Sequence, residues 1–518
     1  MKLVSACCKS LCLASLWFST PWASLDVLAE DKQPQTTIGD SKSLYLSTFD
    51  SQNPKPKFAN STSNTCKQDL AAAIEEIISR PDLKRSRWGI EVQTLDREVL
   101  YSLDGDKFFT PASSAKLLTT AAVLSQMDAD YQIATPLYGI GSPPNLTSLR
   151  LKGQGDPSIS TKSLKTIVHQ LQALGVKKIE KLIIDDSYFE PPAINPTWEW
   201  LDVHSYFATA VNSTILNQNA VTLTLLPQQL GQPVKFYWND SIAARQWQVI
   251  NHGITGKKDL PYNIEIDGDM GKPALTIRGE LAINESPDVW DMAVVDPADY
   301  FLESLRLQLI KGGIEVTRGI VVKESQKDRR ERLLLEIVAP SIQQIVNKIN
   351  QDSNNLYAEA IAKVLAQKFE TKTNIEAIER GLTKLGISND EYVLVDASGL
   401  SRQNLVAPKT LVKTLSLMSR SPYALSYRQS LAVAGISGTL KNRFINTAVE
   451  GNLWGKTGTL TQVSSLSGYL TMPDSSTIVF SIVVNNSELK STKIRQAIDD
   501  VVRILNHKGM CSRSLTIL

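Results

Sequence analysis

The sequence predicts a mixed α/β (α+β) fold in which a β-rich segment interrupts a unit built from helices and strands. Apolar residues at helical spacing occur near both ends of the chain, over 70–78 and 494–505. Between about 135 and 345 the chain has short strand-like runs, frequent turn signals and few helices. Three successive strands are predicted before the final helix, over 453–460, 463–472 and 477–485.

The first 65 residues are predicted to lie outside the folded unit. Residues 1–29 resemble a secretory signal peptide, because two lysines precede a short apolar run over 11–23. An uncleaved signal anchor is the alternative, although the run is short for a membrane span. Residues 30–65 are mostly polar, so we expect a linker with no fold of its own. The signal predicts export to the periplasm or cell envelope, with no integral membrane domain after cleavage.

The folded region is predicted to begin near Cys66. Helical spacing predicts the following helices in order: 70–78, 114–127, 162–174, 297–311, 341–350, 356–369, 374–385 and 408–420. Alternating apolar residues predict a hairpin over 88–94 and 99–103. The final helix carries an apolar stripe that we attribute to core packing rather than to a partner-binding groove, formed by Ile494, Ile498, Val501, Val502 and Leu505.

Composition excludes several classes of protein. Lys plus Arg number 55 and Asp plus Glu 53, so the net charge of +2 provides no basic surface for nucleic acid. No run of about 20 apolar residues occurs, which excludes a polytopic membrane protein. With only four scattered histidines, a zinc site with several histidine ligands is hard to build, and a Ser-His-Asp hydrolase has few candidate bases.

The first candidate site is a serine followed three residues later by a lysine, Ser113 and Lys116, where a loop enters an apolar helix. A serine hydroxyl needs a base near pH 7, and a lysine one helical turn away lies beside it. Partial burial and nearby positive charge can lower the lysine pKa so that it accepts the proton. Backbone N–H groups at the helix start can hold an oxyanion. Such short motifs also occur by chance: Ser487 and Lys490 form a second match, interpreted as the start of the last helix.

The second candidate site is formed by Ser353, Asn354 and Asn355, in the break between two predicted helices. A second serine can relay a proton between nucleophile, base and leaving group. An asparagine can accept a hydrogen bond from a lysine and donate one to a substrate carbonyl. An ordinary helix cap is the alternative, because Ser and Asn are favoured at that position.

The third candidate site is formed by Lys456, Thr457, Gly458 and Thr459, inside a predicted strand. The lysine supplies positive charge for a carboxylate, the threonine hydroxyls add donors, and the glycine allows close approach to the backbone. The strand edge can pair with an extended peptide while the Thr459 N–H completes an oxyanion hole. The alternative is a loosened edge strand with a solvated lysine.

In this order the three motifs resemble the signature of penicillin-recognising serine D,D-peptidases. More narrowly, residues 66–510 resemble the class C low-molecular-mass penicillin-binding proteins, the D-alanyl-D-alanine carboxypeptidase/endopeptidase family. About 240 residues separate Ser113 from Ser353, a gap in which that family carries inserted domains. Asn354 stands where the signature has aspartate, which weakens a class A β-lactamase interpretation. Further segments also resemble the family: 153–157, 184–189, 217–221 and 396–402.

The resemblance implies a penicillin-binding/β-lactamase-like transpeptidase fold, in which a five-stranded antiparallel sheet is flanked by helices and carries inserted β-rich domains. The implied ranges are a D,D-peptidase domain over 66–134 and 347–510, an inserted domain over 135–160 and 249–346, and a nested inserted domain over 161–248. The first and last helices would lie side by side and bring Cys66 towards Cys511. These two cysteines would form a disulfide or remain as two unpaired thiols.

The resemblance also implies a role for each catalytic residue. Ser113 would attack the carbonyl of the penultimate D-alanine of a peptidoglycan stem peptide while Lys116 takes its proton. Ser353, positioned by Asn355 and Lys456, would pass a proton to the departing D-alanine. Water would then hydrolyse the acyl-enzyme, and neither a metal nor a cofactor would be needed.

Substrate binding is assigned in the same way. The backbone N–H groups of Ser113 and Thr459 would hold the oxyanion. Lys456 would bind the terminal carboxylate together with Thr457 and Thr459, and Gly458 would belong to the same substrate-binding strand. β-Lactam antibiotics would act as inhibitors by mimicking the D-Ala-D-Ala terminus.

Two other functions remain open on the sequence alone. A serine β-lactamase shares the same nucleophile chemistry and would turn over penicillin rapidly. A catalytically silent peptidoglycan-binding protein would form no acyl adduct. Such a protein has no physical need for the complete set of reactive side chains, Ser113, Lys116, Ser353 and Lys456.

Overall fold

The computed structural model describes residues 61–269, 271–324 and 328–508. The predicted signal peptide lies outside this part of the chain, as do Cys511 and the side chain of Cys66, so the disulfide stays a prediction. The first helix begins at Ser61, inside the predicted linker. Polar residues such as Ser and Thr are common at helix starts, where apolar periodicity has not yet begun.

The helices are numbered here in chain order. They are α1 (Ser61–Ile78), α2 (Lys116–Gln126), α3 (Thr161–Ala173), α4 (Ser241–Ala244), α5 (Pro297–Lys311), α6 (Ile342–Gln351), α7 (Asn355–Phe369), α8 (Asn374–Leu385), α9 (Pro408–Met418), α10 (Ala424–Gln429) and α11 (Ser491–Lys508).

The strands are numbered in the same way. They are β1 (Arg87–Thr94), β2 (Val99–Leu103), β3 (Gln132–Ser142), β4 (Asn145–Lys152), β5 (Lys178–Asp185), β6 (Ala220–Leu226), β7 (Lys235–Trp238), β8 (Gln248–Asn251), β9 (Ile254–Gly256), β10 (Glu265–Gly268), β11 (Ala274–Arg278), β12 (Glu280–Ala282), β13 (Asp288–Ala293), β14 (Glu315–Val322), β15 (Arg332–Ser341), β16 (Tyr392–Val393), β17 (Leu405–Val406), β18 (Ala432–Val433), β19 (Leu453–Leu460), β20 (Val463–Thr471) and β21 (Thr477–Asn485).

The sheet that carries the third motif has six strands in the order β18-β19-β20-β21-β1-β2, and all neighbours are antiparallel. The predicted hairpin and the three predicted late strands are all present in it. The expected five strands become six, because β18 is a two-residue strand paired with Trp454 and Gly455. So short a strand has no alternating pattern that the sequence could reveal.

The two faces of this sheet are covered by different helices, as strand alternation requires. On β21, Phe480 and Ile482 belong to an apolar cluster shared with α1 and α11. Val479 and Val483 belong to the cluster on the other face, together with residues of α2, α7, α8 and α9. The first and last helices are in contact, and the apolar stripe of the final helix packs into this core, as the sequence predicts.

A second group of sheets is formed between β3 and β15. Its largest sheet has the order β14-β5-β4-β3-β15, in which β5 runs parallel to both of its neighbours. Helices α3 and α5 belong to the same apolar cluster as this sheet. Strand β5, from the range 161–248, thus pairs with strands of the flanking ranges 135–160 and 249–346. The division into two inserted domains therefore remains a proposal.

Candidate active site

Ser113 lies in a short 3-10 turn, Ala112–Ala115, that leads directly into α2. The α-helix therefore begins at Lys116 rather than at Ser114, the predicted start. Such tight turns are common at helix N-termini. Ser113 is half-buried, whereas its neighbours Ala112 and Ser114 are buried. Ser113 is therefore the most accessible residue of this turn.

Lys116 is completely buried and its side chain reaches back to Ser113. Its Nζ donates to Ser113 Oγ at 3.0 Å, to Asn355 Oδ1 at 2.6 Å and to the Ser398 carbonyl at 2.5 Å. These contacts place the amine of the predicted base directly on the hydroxyl of the predicted nucleophile. The first and second motifs, 239 residues apart in sequence, meet at this single nitrogen.

Burial lowers the pKa of Lys116 from its ordinary 10.5 to about 7, while the nearby carboxylates of Asp396 and Glu359 oppose the fall. A lysine with this pKa is neutral in a large fraction of molecules near pH 7. A neutral amine within hydrogen-bond distance of a serine hydroxyl has the geometry and the basicity of a general base.

The second motif occupies the break between α6 and α7. Ser353 has a φ of 58°, in the left-handed region, which ends the first helix and redirects the chain. Asn354 caps α7, because its Oδ1 accepts from the Tyr357 N–H at 3.0 Å. The helix-cap alternative is therefore correct for Asn354, while Ser353 and Asn355 both contact the buried lysines of the site.

Two segments from the β-rich part of the chain hold this motif. The Phe207 carbonyl accepts from Asn355 Nδ2 at 2.7 Å, and Gln218 Oε1 accepts from Asn354 Nδ2 at 2.6 Å. Gln218 has a positive φ of 59°. The backbone around Gln218 is itself fixed, because Asn219 accepts from the Leu216 N–H at 3.2 Å and donates to the Ala210 carbonyl at 2.8 Å.

The third motif lies on β19, where Lys456 is completely buried. Its Nζ donates to Ser353 Oγ at 2.9 Å and to the Thr457 carbonyl at 2.7 Å. Burial, and next the charge of Lys116, hold the pKa of Lys456 well below its usual range, while Asp352 opposes this shift. The alternative of a solvated lysine on a loosened strand is therefore wrong.

Gly458 is required by the contact between β19 and the Ser113 turn. A Cβ at this position would lie 2.3 Å from Ser465 Oγ and 2.7 Å from the Pro111 carbonyl. Ser465 Oγ in turn donates to the Pro111 carbonyl at 2.8 Å and lies 2.8 Å from Ser114 Oγ. The glycine therefore allows the strand to pack against the turn that presents Ser113.

The outer edge of β19 is open next to these residues. In the described part of the chain, β18 pairs with Trp454 and Gly455, and no strand pairs with the outer edge of residues 456–460. Along an antiparallel strand, the backbone N–H and C=O groups of successive residues point alternately towards the partner strand and away from it. Leu460 pairs with Val463 across a two-residue turn, so the backbone groups of Thr457 and Thr459 point away from β20. The Leu453 carbonyl, in the same alternation, accepts from the Ala434 N–H on that side.

Several contacts of the site involve residues without a predicted role. The segment 396–402 was identified by its resemblance alone, and the structure shows that the Ser398 carbonyl in it holds Lys116. Thr457 Oγ1 donates to Thr439 Oγ1 at 2.8 Å. Neither Ser398 nor Thr439 is close enough in sequence to its contact to form a short motif with it: Ser398 is 282 residues from Lys116, and Thr439 is 18 residues from Thr457. Others of this kind are Phe207, Gln218, Glu359, Asp396 and Ser465.

Comparison with known proteins gives one matching family model, described as the D-Ala-D-Ala carboxypeptidase 3 (S13) family, over residues 70–505. The chain is 27% identical over 479 residues to "Penicillin-sensitive carboxypeptidase A" of Dictyostelium discoideum, covering 85% of this chain and 92% of that protein. It is 29% identical over 440 residues to a D-alanyl-D-alanine carboxypeptidase of Actinomadura sp. (strain R39), covering 80% of this chain and 81% of that protein.

Among solved structures, penicillin binding protein 4 (dacB) from Haemophilus influenzae is similar with a TM-score of 0.74 and 24% identity, covering 86% of this chain and 99% of that one. A structure of the same protein in complex with a β-lactam has a TM-score of 0.69 and 23% identity, with 86% and 100% covered. These similarities confirm the predicted fold class.

Proposed function

The chain belongs to the D-Ala-D-Ala carboxypeptidase 3 (S13) family, and we propose that it hydrolyses D-Ala-D-Ala peptides of peptidoglycan through an acyl-enzyme on Ser113. Family membership confirms the predicted enzyme class, a serine-type D-Ala-D-Ala carboxypeptidase. The observation that carries the assignment of the nucleophile is the hydrogen bond of 3.0 Å from Lys116 Nζ to Ser113 Oγ. A buried lysine with a lowered pKa in this position has a direct use in removing the serine proton.

Acylation begins when Ser113 Oγ attacks the carbonyl carbon of the penultimate D-alanine and its proton passes to Lys116 Nζ. The carbonyl oxygen becomes an oxyanion held by the backbone N–H groups of Ser113 and Thr459. The outward direction of the Thr459 backbone groups on an open strand edge supports this role. An extended substrate can pair with the same edge.

Collapse of the oxyanion breaks the C–N bond and releases the terminal D-alanine. Its amine needs a proton, which is the one that Lys116 took from Ser113. Ser353, whose Oγ accepts from Lys456 Nζ at 2.9 Å, relays this proton to the amine and so leaves Lys116 neutral again. Asn355 holds Lys116 on the other side of the site at 2.6 Å. Water then attacks the acyl carbon with Lys116 as the base, which releases the product acid and restores Ser113.

The carboxylate of the terminal D-alanine is assigned to the third motif. Lys456 is the positive group, and Thr457 and Thr459 add hydroxyl donors beside it. Gly458 keeps the strand close to the Ser113 turn, as its contacts with Ser465 and Pro111 show. The same subsite would receive the carboxylate of a β-lactam, which we propose as an inhibitor. Cleavage of D-Ala cross-links, the endopeptidase reaction, would use the same groups.

The proposed location is the periplasm or cell envelope, where peptidoglycan is found. The support for export comes from residues 1–29, which lie outside the described part of the chain. Among the described residues, none of the helices has the length and apolar character needed to cross a membrane.

The function is tested by release of the C-terminal alanine from diacetyl-L-Lys-D-Ala-D-Ala, with diacetyl-L-Lys-D-Ala-L-Ala as the control substrate. We expect release from the first peptide and none from the second. Rapid hydrolysis of benzylpenicillin without release of D-alanine would instead identify a β-lactamase. Binding of muropeptides without release or acylation would identify a silent binding protein.

A further inference from the structure

Glu359 is a buried carboxyl beneath the catalytic residues, and the mechanism above does not use it. It lies on α7, one helical turn after Asn355, and is 3% exposed. Its Oε1 accepts two backbone hydrogen bonds, from Ala397 N–H at 2.9 Å and from Ser398 N–H at 2.8 Å. Burying a carboxyl group costs free energy unless it is hydrogen-bonded or paired, so a buried carboxyl calls for a structural or chemical explanation.

The two amides that Glu359 binds belong to the segment that holds the base. The Ser398 carbonyl accepts from Lys116 Nζ at 2.5 Å, and the Ala397 carbonyl accepts from Thr119 Oγ1 at 2.7 Å. Helix α7 therefore acts on the amine of Lys116 in two ways. Asn355 provides one acceptor directly, and Glu359 binds the N–H groups of Ala397 and Ser398, the backbone just before the Ser398 carbonyl that provides the other acceptor.

Asp396 is the other buried carboxylate near Lys116, but its position has a sufficient structural explanation. It accepts from Gly399 N–H at 2.7 Å and from Ser401 N–H at 2.6 Å, which close its own loop, and from the Trp198 indole at 2.9 Å, which ties this loop to the β-rich part of the chain. Glu359 approaches that loop from a different element, so it links α7 with the loop.

The charged groups around this carboxyl come from several elements. Lys116 acts on it from α2, and Lys363 acts on it from its own helix. Asp396 acts on it from the loop between β16 and β17. Lys456 on β19 interacts in turn with Lys116. Burial, and next the charge of Asp396, raise the pKa of Glu359 to about 8. When ionised, Glu359 favours the protonated form of Lys116.

We propose that Glu359 is a positioning residue for the general base: its oxygen fixes the N–H groups of Ala397 and Ser398, and with them the backbone whose next carbonyl holds Lys116 against Ser113. This inference rests on the proposed function, in which Lys116 accepts the proton of Ser113. The property that it assigns to Glu359 is an acceptor oxygen and not a negative charge.

Two substitutions separate the acceptor oxygen from the charge. Glu359→Gln keeps an acceptor oxygen and removes the charge, so acylation by benzylpenicillin should stay within about threefold of wild type at its plateau. Its rising limb against pH should stay within about half a unit of wild type, because a carboxyl with a pKa of about 8 is mostly uncharged near pH 7, where Lys116 titrates. Glu359→Met removes the acceptor, and acylation should fall at least about 100-fold, the scale of a 1 Å misplacement of a catalytic group.

The measurement is the second-order acylation rate from pH 5 to 10 by time-resolved intact mass, with thermal unfolding of each variant. Glu91→Gln is the matched control, because Glu91 is 2% exposed on β1 and bonds to Gln93; it should not move the profile. If Glu359→Met does not fold, Glu359→Gln decides alone, because acylation that falls well below the wild-type plateau contradicts a role carried by the acceptor oxygen. A loss of acylation by Glu359→Gln, or normal acylation by folded Glu359→Met, overturns the inference. Absence of a Ser113 adduct on the wild type instead overturns the proposed function.

Discussion

Single residues set the chemistry through two lysines that the fold buries completely. Lys116 and Lys456 are both 0% exposed, and each donates to a serine, at 3.0 Å to Ser113 and at 2.9 Å to Ser353. Removing an ammonium from water is unfavourable, which lowers the pKa of both lysines. Their mutual repulsion favours a state in which one of the two is neutral. A neutral Lys116 could then act as the base, while the carboxylate of a bound substrate would favour the charged form of Lys456.

The pH dependence of acylation follows from Lys116. Only the neutral amine accepts the Ser113 proton, and its pKa is lowered to about 7, so the rate should rise with pH through about 7. An ordinary lysine would place this rise near 10.5. Acylation by benzylpenicillin measured from pH 5 to 10 checks the position of the limb. A rise centred near pH 10 would show that burial does not prepare Lys116 as the base.

Elements set the geometry, and the break between α6 and α7 is the clearest case. The left-handed Ser353 and the cap formed by Asn354 turn the chain so that Ser353 and Asn355 reach different lysines. Gln218 lies 136 residues away from Asn354 in sequence, and its side chain accepts a hydrogen bond from Asn354 that holds this turn in place. The β-rich part of the chain thus contributes directly to the order of the active site.

Gln218→Ala should weaken the second motif. It removes the acceptor for Asn354 Nδ2, and one hydrogen bond of about 1 kcal/mol corresponds to a fall in acylation of about fivefold. Gln218→Glu keeps an acceptor and the same left-handed backbone position, so it is the matched control. Acylation rates of the two variants, measured at pH 7.5, check this contribution. Equal rates for wild type, Ala and Glu variants would show that the contact does not order the motif.

Prediction from sequence succeeded where the signal is local. Short strand-like runs predicted β20 and β21, and helical spacing predicted the stripe on α11, because each pattern depends on residues close in sequence. The two residues of β18 and the start of α2 at Lys116 rather than Ser114 depend on packing against other elements. The contacts of Gln218 and Ser398 with the motifs join distant loops, so no spacing in the sequence reveals them.

At the scale of the whole molecule, burial of these lysines affects the free energy of unfolding. Lys116 has a pKa of about 7 when folded and 10.5 as its ordinary value. Between these values the unfolded chain binds more protons, so stability should rise with pH over this interval. The folded protein with Lys116 at this buried position is thus less stable near neutral pH than it would be with an apolar side chain there.

Lys116→Met makes this effect measurable. The wild type should gain stability relative to the variant as the pH rises from 7 towards 10.5, by on the order of 4 kcal/mol. Denaturant unfolding of both proteins gives the difference between their free energies of unfolding, once at pH 7 and once at pH 10. Lys409→Met, at an exposed lysine, is the matched control and should show no such change between the two pH values. A difference for Lys116→Met that stays constant with pH would mean that Lys116 titrates alike in folded and unfolded chains.

The central claim is that Ser113 is the acylated nucleophile, and the most direct test is intact mass after mixing with benzylpenicillin. Wild type should gain the mass of one penicillin and keep it, while Ser113→Ala should gain none. Ser114→Ala is a matched control, because Ser114 lies in the same turn but bonds to Ser465, and this variant should still form the adduct. An adduct that persists on Ser113→Ala, or a folded wild type that forms none, would contradict the account.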